Sequence, residues 1–462
     1  MTSRKTSLLL GSLATITGGL AAQTSNPNIV FFLVDDMGIG DLGVYGQRYI
    51  HTPAIDSLAA QGMTFTQHYA GCTVSAPSRG SLLTGKHTGH AYIRGNKDTP
   101  NPDGYTYDHP LRPEEFTLGE LLQQAGYHTA CIGKWGLGGP NTLGAPTEQG
   151  FDYFFGYLGQ LNAHRHYPKF LHEGNTLINL DGKTFAQDLL VEHALEYLDE
   201  RKKGDQPFFL YFTPALPHAD LDIPEEERLA YDGVFLEAPA KNTGSYKPVT
   251  HPRSTYAAMV TRLDNDVRKL IDRLRANGQL DNTIFIFSSD NGAHIEGGHD
   301  PYFFDGNGPY RGTKRDLYEG GIRTPFIVYW PGVVAPGSVS YHISAFWDIL
   351  PTFAELTGQA IPTDVDGISL LPTLTGKGEQ KQHEYLYWEF AEQGGKRAVR
   401  YENWKLIRLN AKDPSKTYHE LYDISADPGE LNNVAKEHPL VVQQLSRFLD
   451  REHTPSEVYN IP

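Results

Sequence analysis

Five short runs, "NIVFFLV", "TACIGKW", "PFFLYFTPA", "TIFIFSS" and "TPFIVYW", set what this chain can become. Each is nearly all apolar, rich in β-branched and aromatic side chains, and gives way at once to polar or Gly-rich residues. A strand with one wet face alternates apolar and polar residues. A strand apolar at almost every position is buried on both faces, which points to a parallel sheet covered by helices on each side. The segments between them supply the helices: "TPAIDSLAAQGM", "TLGELLQQAGY", "FAQDLLVEHALEYLDERKK" and "YAAMVTRLDNDVRKLIDRLRANGQ", the last two with apolar residues three and four apart. Gly278 stops the last of these. The expected class is therefore α/β, a large central mostly parallel sheet flanked by helices. With 462 residues, 39% hydrophobic and 11% aromatic, the chain has ample material for such a core.

After about Gly376 the texture changes. "EYLYWEF" and "RAVRYENWKLIRL" predict antiparallel strands, and "PLVVQQLSRFLDREH" predicts a closing helix. This gives a small C-terminal α+β subdomain over 377–462 behind a main unit over 23–376. Residues 1–22 have the form of a secretory signal: Arg4 and Lys5, then an apolar stretch, then the small residues Ala21 and Ala22. That predicts export, to the periplasm or beyond, with no stable membrane insertion. Forty basic and 55 acidic residues leave a formal charge of -15, which argues against sequence-independent nucleic-acid binding. Two cysteines, Cys72 and Cys131, are too few for a disulfide framework. Each lies three residues before a site residue discussed below. They are expected as two small buried thiols, with a bridge between the two segments as the alternative.

In open parallel sheets ligands bind at the carboxyl ends of the strands. The first run leads straight into Asp35 and Asp36, and the fourth into Asp290 and Asn291. Adjacent carboxylates emerging from buried strands repel unless a cation or strong donors hold them. An all-oxygen ligand set suits a hard cation, Ca²⁺ or Mg²⁺, better than zinc.

The stretch "GCTVSAPSRGSLLTGK", Gly71 to Lys86, adds a second signal. "SAPSRGSLLTGK" resembles the signature of the formylglycine-dependent sulfatases, within the alkaline-phosphatase-like superfamily. There a Cys or Ser followed by xPxR is oxidised after synthesis to an aldehyde, 3-oxoalanine. The pattern falls on Ser75, Pro77 and Arg79, so the chain resembles a serine-type member, and Cys72 does not fit. Further segments resemble the family in its own order: "DDMGIGDLGVYG", "IGKWGLG", "PALPHAD", "FSSDNG" and "RGTKRDLYEGGIRTP", with "DGISLLPTLTGK" and "ELYDISADPGELNNVA" in the C-terminal half. Pro77 and the residues after it predict a helix start, which puts Ser75 at a helix N-terminus, where free amides and the helix dipole favour an anion.

The resemblance implies that Asp35, Asp36, Asp290 and Asn291, with an oxygen of modified Ser75, bind one Ca²⁺. It implies that Arg79 and Lys134 stabilise the aldehyde hydrate, that Lys134 and Lys314 clamp sulfate oxygens, and that His218 holds the sulfate and protonates the leaving alcohol. A hydrated aldehyde offers two hydroxyls on one carbon, one to attack sulfur and one to expel the bound sulfate. A separate maturation enzyme must carry out the oxidation. Much of the family has His in the place of Gly136. His87 and His90, or His164 and His166, are the candidates to replace it from another loop.

The loops "AYIRGN" and "LNAHRHYPKF" predict substrate contacts from Arg94, Asn96, His164 and His166. General resemblance of "YIRGN" and "YWEFAEQGG" to polysaccharide-degrading members favours a sulfated glycan, with galactose or N-acetylgalactosamine sulfate units. A phosphoesterase of the same superfamily would use Ser75 unmodified and needs further His and Asp ligands for a second metal, where this chain offers lysines and Asn291. A glycan-binding protein without catalysis would have no use for a modification signal.

Overall fold

The structure, a computed structural model, describes residues 26–461, so the proposed export signal over 1–22 lies outside them. Among the described residues one sheet has ten strands: β1 (Asn28–Val34), β2 (Met63–Phe65), β3 (His128–Lys134), β4 (Tyr153–Tyr157), β5 (Phe170–Glu173), β6 (Thr176–Asn179), β7 (Phe208–Thr213), β8 (Thr283–Ser289), β9 (Phe326–Tyr329) and β10 (Ser338–Ser340). Their spatial order is β10, β2, β9, β8, β1, β7, β3, β4, β5, β6. The five at the centre, from β8 to β4, all run parallel. Every residue of β1, β7 and β8 is buried, as their uninterrupted apolar character requires.

"TPFIVYW" forms β9, but antiparallel to β8. The chain leaves β8 at its carboxyl end, spends residues 290–325 there, and re-enters the sheet from the same end without a crossover helix, so β9 must run the other way. The strand β4, an aromatic run interrupted by Gly156, and the β5–β6 hairpin lie outside the runs from which the sheet is expected.

Successive side chains of β1 divide the core between two layers. Val30, Phe32 and Val34 face the helices Ala186–Arg201 and Pro252–Ala276. Ile29, Phe31 and Leu33 face Ser75–Thr84, Leu118–Gln124 and Ile349–Thr357. Each buried side chain of this size contributes about 1.5–3 kcal/mol. The sheet is tight at Gly133, where a Cβ would lie 2.1 Å from the Thr213 carbonyl oxygen.

At the C-terminus β11 (Leu386–Phe390), β12 (Lys396–Tyr401), β13 (Trp404–Leu409) and β14 (Tyr418–Asp423) form an antiparallel meander. On one face the closing helix, Pro439–Arg451, packs Leu445 and Leu449 against Tyr387, Val399 and Leu406. On the other, Trp388, Phe390 and Ile407 pack on Tyr69, Cys72 and Val74, the segment leading into Ser75. The join is also ionic. Lys405 Nζ, fully buried, lies 2.9 Å from Glu319 Oε1 and 3.0 Å from Glu430 Oε1. Removing the ammonium leaves two buried carboxylates facing one another. We expect Lys405→Ala to lose about 3–5 kcal/mol of unfolding free energy, measured by urea denaturation.

Candidate active site

Asp35 and Asp36 follow β1 directly, and Asp290 and Asn291 follow β8, so pairing of the two strands carries both acidic pairs to one spot. All four residues are fully buried. Asp36 sits at φ 65, a conformation that side chains rarely adopt, with its N–H donating to Asp290 Oδ1 at 3.0 Å. Such backbone persists where surrounding bonds over-determine it. Oxygens of Asp35, Asp36 and Asp290 lie within 4.8 Å of one another.

The helix Ser75–Thr84 begins at Ser75 itself, with Val74 as its cap residue. Ser75 Oγ donates to Asp35 Oδ1 at 2.8 Å and accepts from Lys134 Nζ at 3.1 Å. Lys134, at the end of β3, also pairs with Asp35 Oδ2 at 2.6 Å. One turn along the helix, Arg79 reaches Asp290 Oδ2 at 2.9 Å and donates to the Lys134 carbonyl at 2.8 Å. Lys314 Nζ joins Asp36 Oδ2 at 2.7 Å, Glu296 Oε2 at 2.9 Å and His218 Nε2 at 2.9 Å. Three buried cations thus interleave with the carboxylates. Burial pushes the Asp35 carboxyl upward, but Lys134, His218 and Arg79 outweigh it and hold the group well below its ordinary value. Asp290 is pushed up to about 7, by burial and then by the Asp35 charge.

A cation fits this donor set. Asn291 Oδ1 is buried with no partner among the described residues, and it stands among three crowded carboxylates. The Asn291 amide nitrogen donates to Asp36 Oδ1 at 2.7 Å, which fixes which way its oxygen turns.

A cleft of about 230 Å³ opens over Lys314 and His218 and includes Asn96, His164, Tyr246 and Arg315 in its walls. His218 Nδ1 is bonded to the Ala219 carbonyl, which leaves Nε2 facing the Lys314 ammonium. Burial, with Lys314 beside it, holds this imidazole well below its usual pKa. His164 stacks on His218 with ring centroids 4.7 Å apart, and burial, reinforced by His218, takes it down to about 2. Asn96 lines the cleft while its Oδ1 accepts from the Ala76 N–H at 3.2 Å, in the first turn of the Ser75 helix.

Other expected contacts lie elsewhere. Arg94 is 4% exposed and spends its guanidinium on Glu389 at 3.0 Å and on Thr454, so it ties the main sheet's loops to the C-terminal meander and does not line the cleft. His166 is 3% exposed with Nε2 on the His218 carbonyl at 2.9 Å; it braces the His218 loop from behind. Neither residue is available to substrate as the sequence reading expected. His87 and His90 stack on each other beside Asp366 and Glu452, outside the cleft walls. Cys72 and Cys131 are free, buried thiols. Glu296, Tyr246, Gln160 and Asp108 also belong to the site and escaped sequence reasoning. Glu296 had a faint signal, five residues past Asn291; Asp108 ends the short strand Thr106–Asp108, Gln160 starts the one-turn helix Gln160–Ala163 and Tyr246 sits in a bend, none of them marked by a pattern.

The sulfatase family model matches residues 27–359, and that for the C-terminal part of N-sulphoglucosamine sulphohydrolase matches 310–455. The chain belongs to the sulfatase family. An N-acetylgalactosamine-6-O-sulfatase of Bacteroides thetaiotaomicron is 31% identical over 501 residues, covering 94% of each chain. The N-acetylgalactosamine-6-sulfatase of Canis lupus familiaris is 32% identical over 396 residues, which cover 80% of this chain and 70% of that protein. Among solved structures, Ps i-CgsB in complex with k-i-k-neocarrahexaose superposes with a TM-score of 0.78 at 26% identity, over 94% of this chain and 95% of the other. This sulfatase is a sulfuric ester hydrolase on an alkaline-phosphatase-like fold. No helix among the described residues is long and apolar enough to cross a membrane.

The histidine pair outside the cleft carries its own expectation. The Asp366 carboxylate raises the pKa of His90 above 6.5, against the effect of burial. A raised value means stability that is fully present below about 6.5 and lost as pH rises through the higher folded-state value. Thermal melts of His90→Gln should fall short of the unsubstituted protein at about pH 5.5 and converge with it at about pH 9.

Proposed function

We propose that this enzyme releases sulfate from a sulfated carbohydrate, using Ser75 after its oxidation to formylglycine, with Ca²⁺ held by Asp35, Asp36, Asp290 and Asn291. The observation that carries the reading is the junction at Ser75 Oγ: a buried oxygen at a helix N-terminus, between the Asp35 carboxylate and the Lys134 ammonium, inside the xPxR pattern. An ordinary serine hydroxyl is a poor nucleophile without an activating base. Among the described residues no imidazole bonds to Ser75 Oγ; its partners are Asp35 and Lys134. The oxidised residue, once hydrated, supplies a second hydroxyl on the same carbon, so one can attack sulfur and the other can expel the sulfate. Ca²⁺ when bound supplies positive charge that lowers the cost of an alkoxide at residue 75.

Lys134 and Arg79 hold the negative charge that develops at residue 75, and Lys134 and Lys314 face the sulfate oxygens. A sulfate anion between these lysines offsets the burial that keeps His218 neutral. The imidazole then takes up a proton at Nε2 and passes it to the departing alcohol oxygen. Glu296, paired with Lys314 and Arg315, steadies that ammonium against the extra charge. The alcohol is a sugar: relatives at 29% to 33% identity are N-acetylgalactosamine-6- and N-acetylglucosamine-6-sulfatases, and every residue lining the cleft but Leu161 carries a polar group. The partners follow from this: a sulfated glycan as substrate, a maturation enzyme for Ser75, and export as the route to the glycan.

Mass spectrometry of the tryptic peptide spanning residues 49–79, from protein made in its native host, tests the nucleophile. We expect a mass lower by two hydrogens and labelling of residue 75 by an aldehyde-reactive probe. Unmodified Ser75 in active enzyme would sink the mechanism. For the cation, Ca²⁺ at about a hundred times its dissociation constant should add roughly 2.7 kcal/mol of stability. Chelation should reverse the rise in melting temperature, and Asn291→Ala should shrink it.

A further inference from the structure

Besides Asn291 Oδ1, and setting aside Arg79 Nη2, which is ion-paired with Asp290, two polar atoms of the site are buried without a hydrogen-bond partner among the described residues: Asp108 Oδ1 and Gln160 Nε2. Both side chains line the cleft that contains His218 and Lys314. They are 3% and 6% exposed, so bulk water does not hydrate them freely. The two form one unit, because Asp108 Oδ2 accepts from the Gln160 backbone N–H at 2.8 Å. That bond turns Oδ1 away to serve something else.

An unmatched buried acceptor and an unmatched buried donor each carry the cost of lost hydration with nothing to offset it. Groups left so in a native fold call for a partner that arrives later. An acceptor and a donor side by side match a hydroxyl, whose O–H donates and whose lone pairs accept. A second anionic group would meet the carboxylate, and an ammonium would meet the amide NH₂, so neither satisfies both. An aryl group satisfies neither.

We propose that Asp108 and Gln160 form a hydroxyl-reading pair that selects sugars over other sulfate esters, by bonding a hydroxyl of the ring that carries the ester. The proposal rests on the sulfatase reading and adds the residues that recognise the alcohol half of the substrate. It also accounts for Gly136. A Cβ at that position, where φ is +78, would stand 2.5 Å from Gln160 Nε2. Any larger residue there, an imidazole included, would push the amide out of the cleft. The glycine and the glutamine are thus one exchange: a side chain given up on the Lys134 loop makes room for a donor from another.

Two variants test this with little change of shape. Asp108→Asn keeps an oxygen for the Gln160 N–H and puts a donor where Oδ1 was. Gln160→Met keeps the volume and removes the donor. Rates of sulfate release are compared on N-acetylgalactosamine 6-sulfate, N-acetylglucosamine 6-sulfate and 4-nitrophenyl sulfate, with thermal melts to establish folding. In each variant kcat/KM on the better sugar should fall at least about tenfold further than on 4-nitrophenyl sulfate, which is the loss of one well-placed hydrogen bond to a polar group. Equal losses on sugar and aryl esters, or none, overturn the proposal, as does an unsubstituted enzyme that turns over only the aryl ester. Should the unsubstituted enzyme release sulfate from none of the three, the sulfatase reading is what fails. Saturation-transfer NMR with unsulfated N-acetylgalactosamine then decides the pair by itself. A signal that Asp108→Asn abolishes upholds it, and an unchanged or absent signal overturns it.

Discussion

The site depends on like charges being forced together. Asp35, Asp36 and Asp290 are fully buried within a few ångströms of each other, a placement that would expel at least one charge if nothing opposed it. Arg79, Lys134 and Lys314 oppose it, each from a different segment and each nearly or fully buried. The cations cannot be spared for the fold, and on the proposed mechanism two of them, Lys134 and Lys314, also meet the sulfate. A protein with a formal charge of -15 can therefore attract a sulfate ester locally while its surface stays acidic.

Much of this was legible in the sequence, for a physical reason. Buried parallel strands must be apolar throughout, so β1, β3, β7 and β8 stood out as runs, and whatever follows such a run must lie at the sheet's carboxyl edge. Asp35, Asp36, Asp290 and Asn291 could be placed that way before any coordinates, and Lys134 through the family resemblance. Ser75 and Arg79 were marked by a motif, and the helix does start at Ser75. What could not be read was which polar side chains turn inward. In "LNAHRHYPKF" neighbouring polar side chains divide their labour: Arg165 pairs with Asp220, and of the two candidates His166 braces a carbonyl while His164 enters the cleft wall. Arg94 looked equally free, yet its partner Glu389 lies 295 residues away and is invisible to any local pattern.

The C-terminal meander adds no residue to the cation-carboxylate cluster, yet the site leans on it. Trp388 packs against Tyr69 and donates to the Ala70 carbonyl just ahead of Ser75, and Lys396 Nζ bonds to the Arg315 carbonyl beside Lys314. Its strands fix the entry to one catalytic segment and the exit from another.

The burial of Ser75 sets an order of events in time. Its side chain is 1% exposed on a helix whose residues are all buried, so once the sheet has closed another enzyme's active site cannot enclose it, though a slender sulfate group still can approach. An enzyme that oxidises it must meet the chain before then. Asp290, which locks the helix through Arg79, is made 211 residues later. At about 5–20 residues per second the opening lasts roughly 10–40 s. If Ser75 is oxidised as proposed, folding speed and modification compete during synthesis. A substitution that hastens closure of the nascent chain would lower activity while leaving the finished structure more stable.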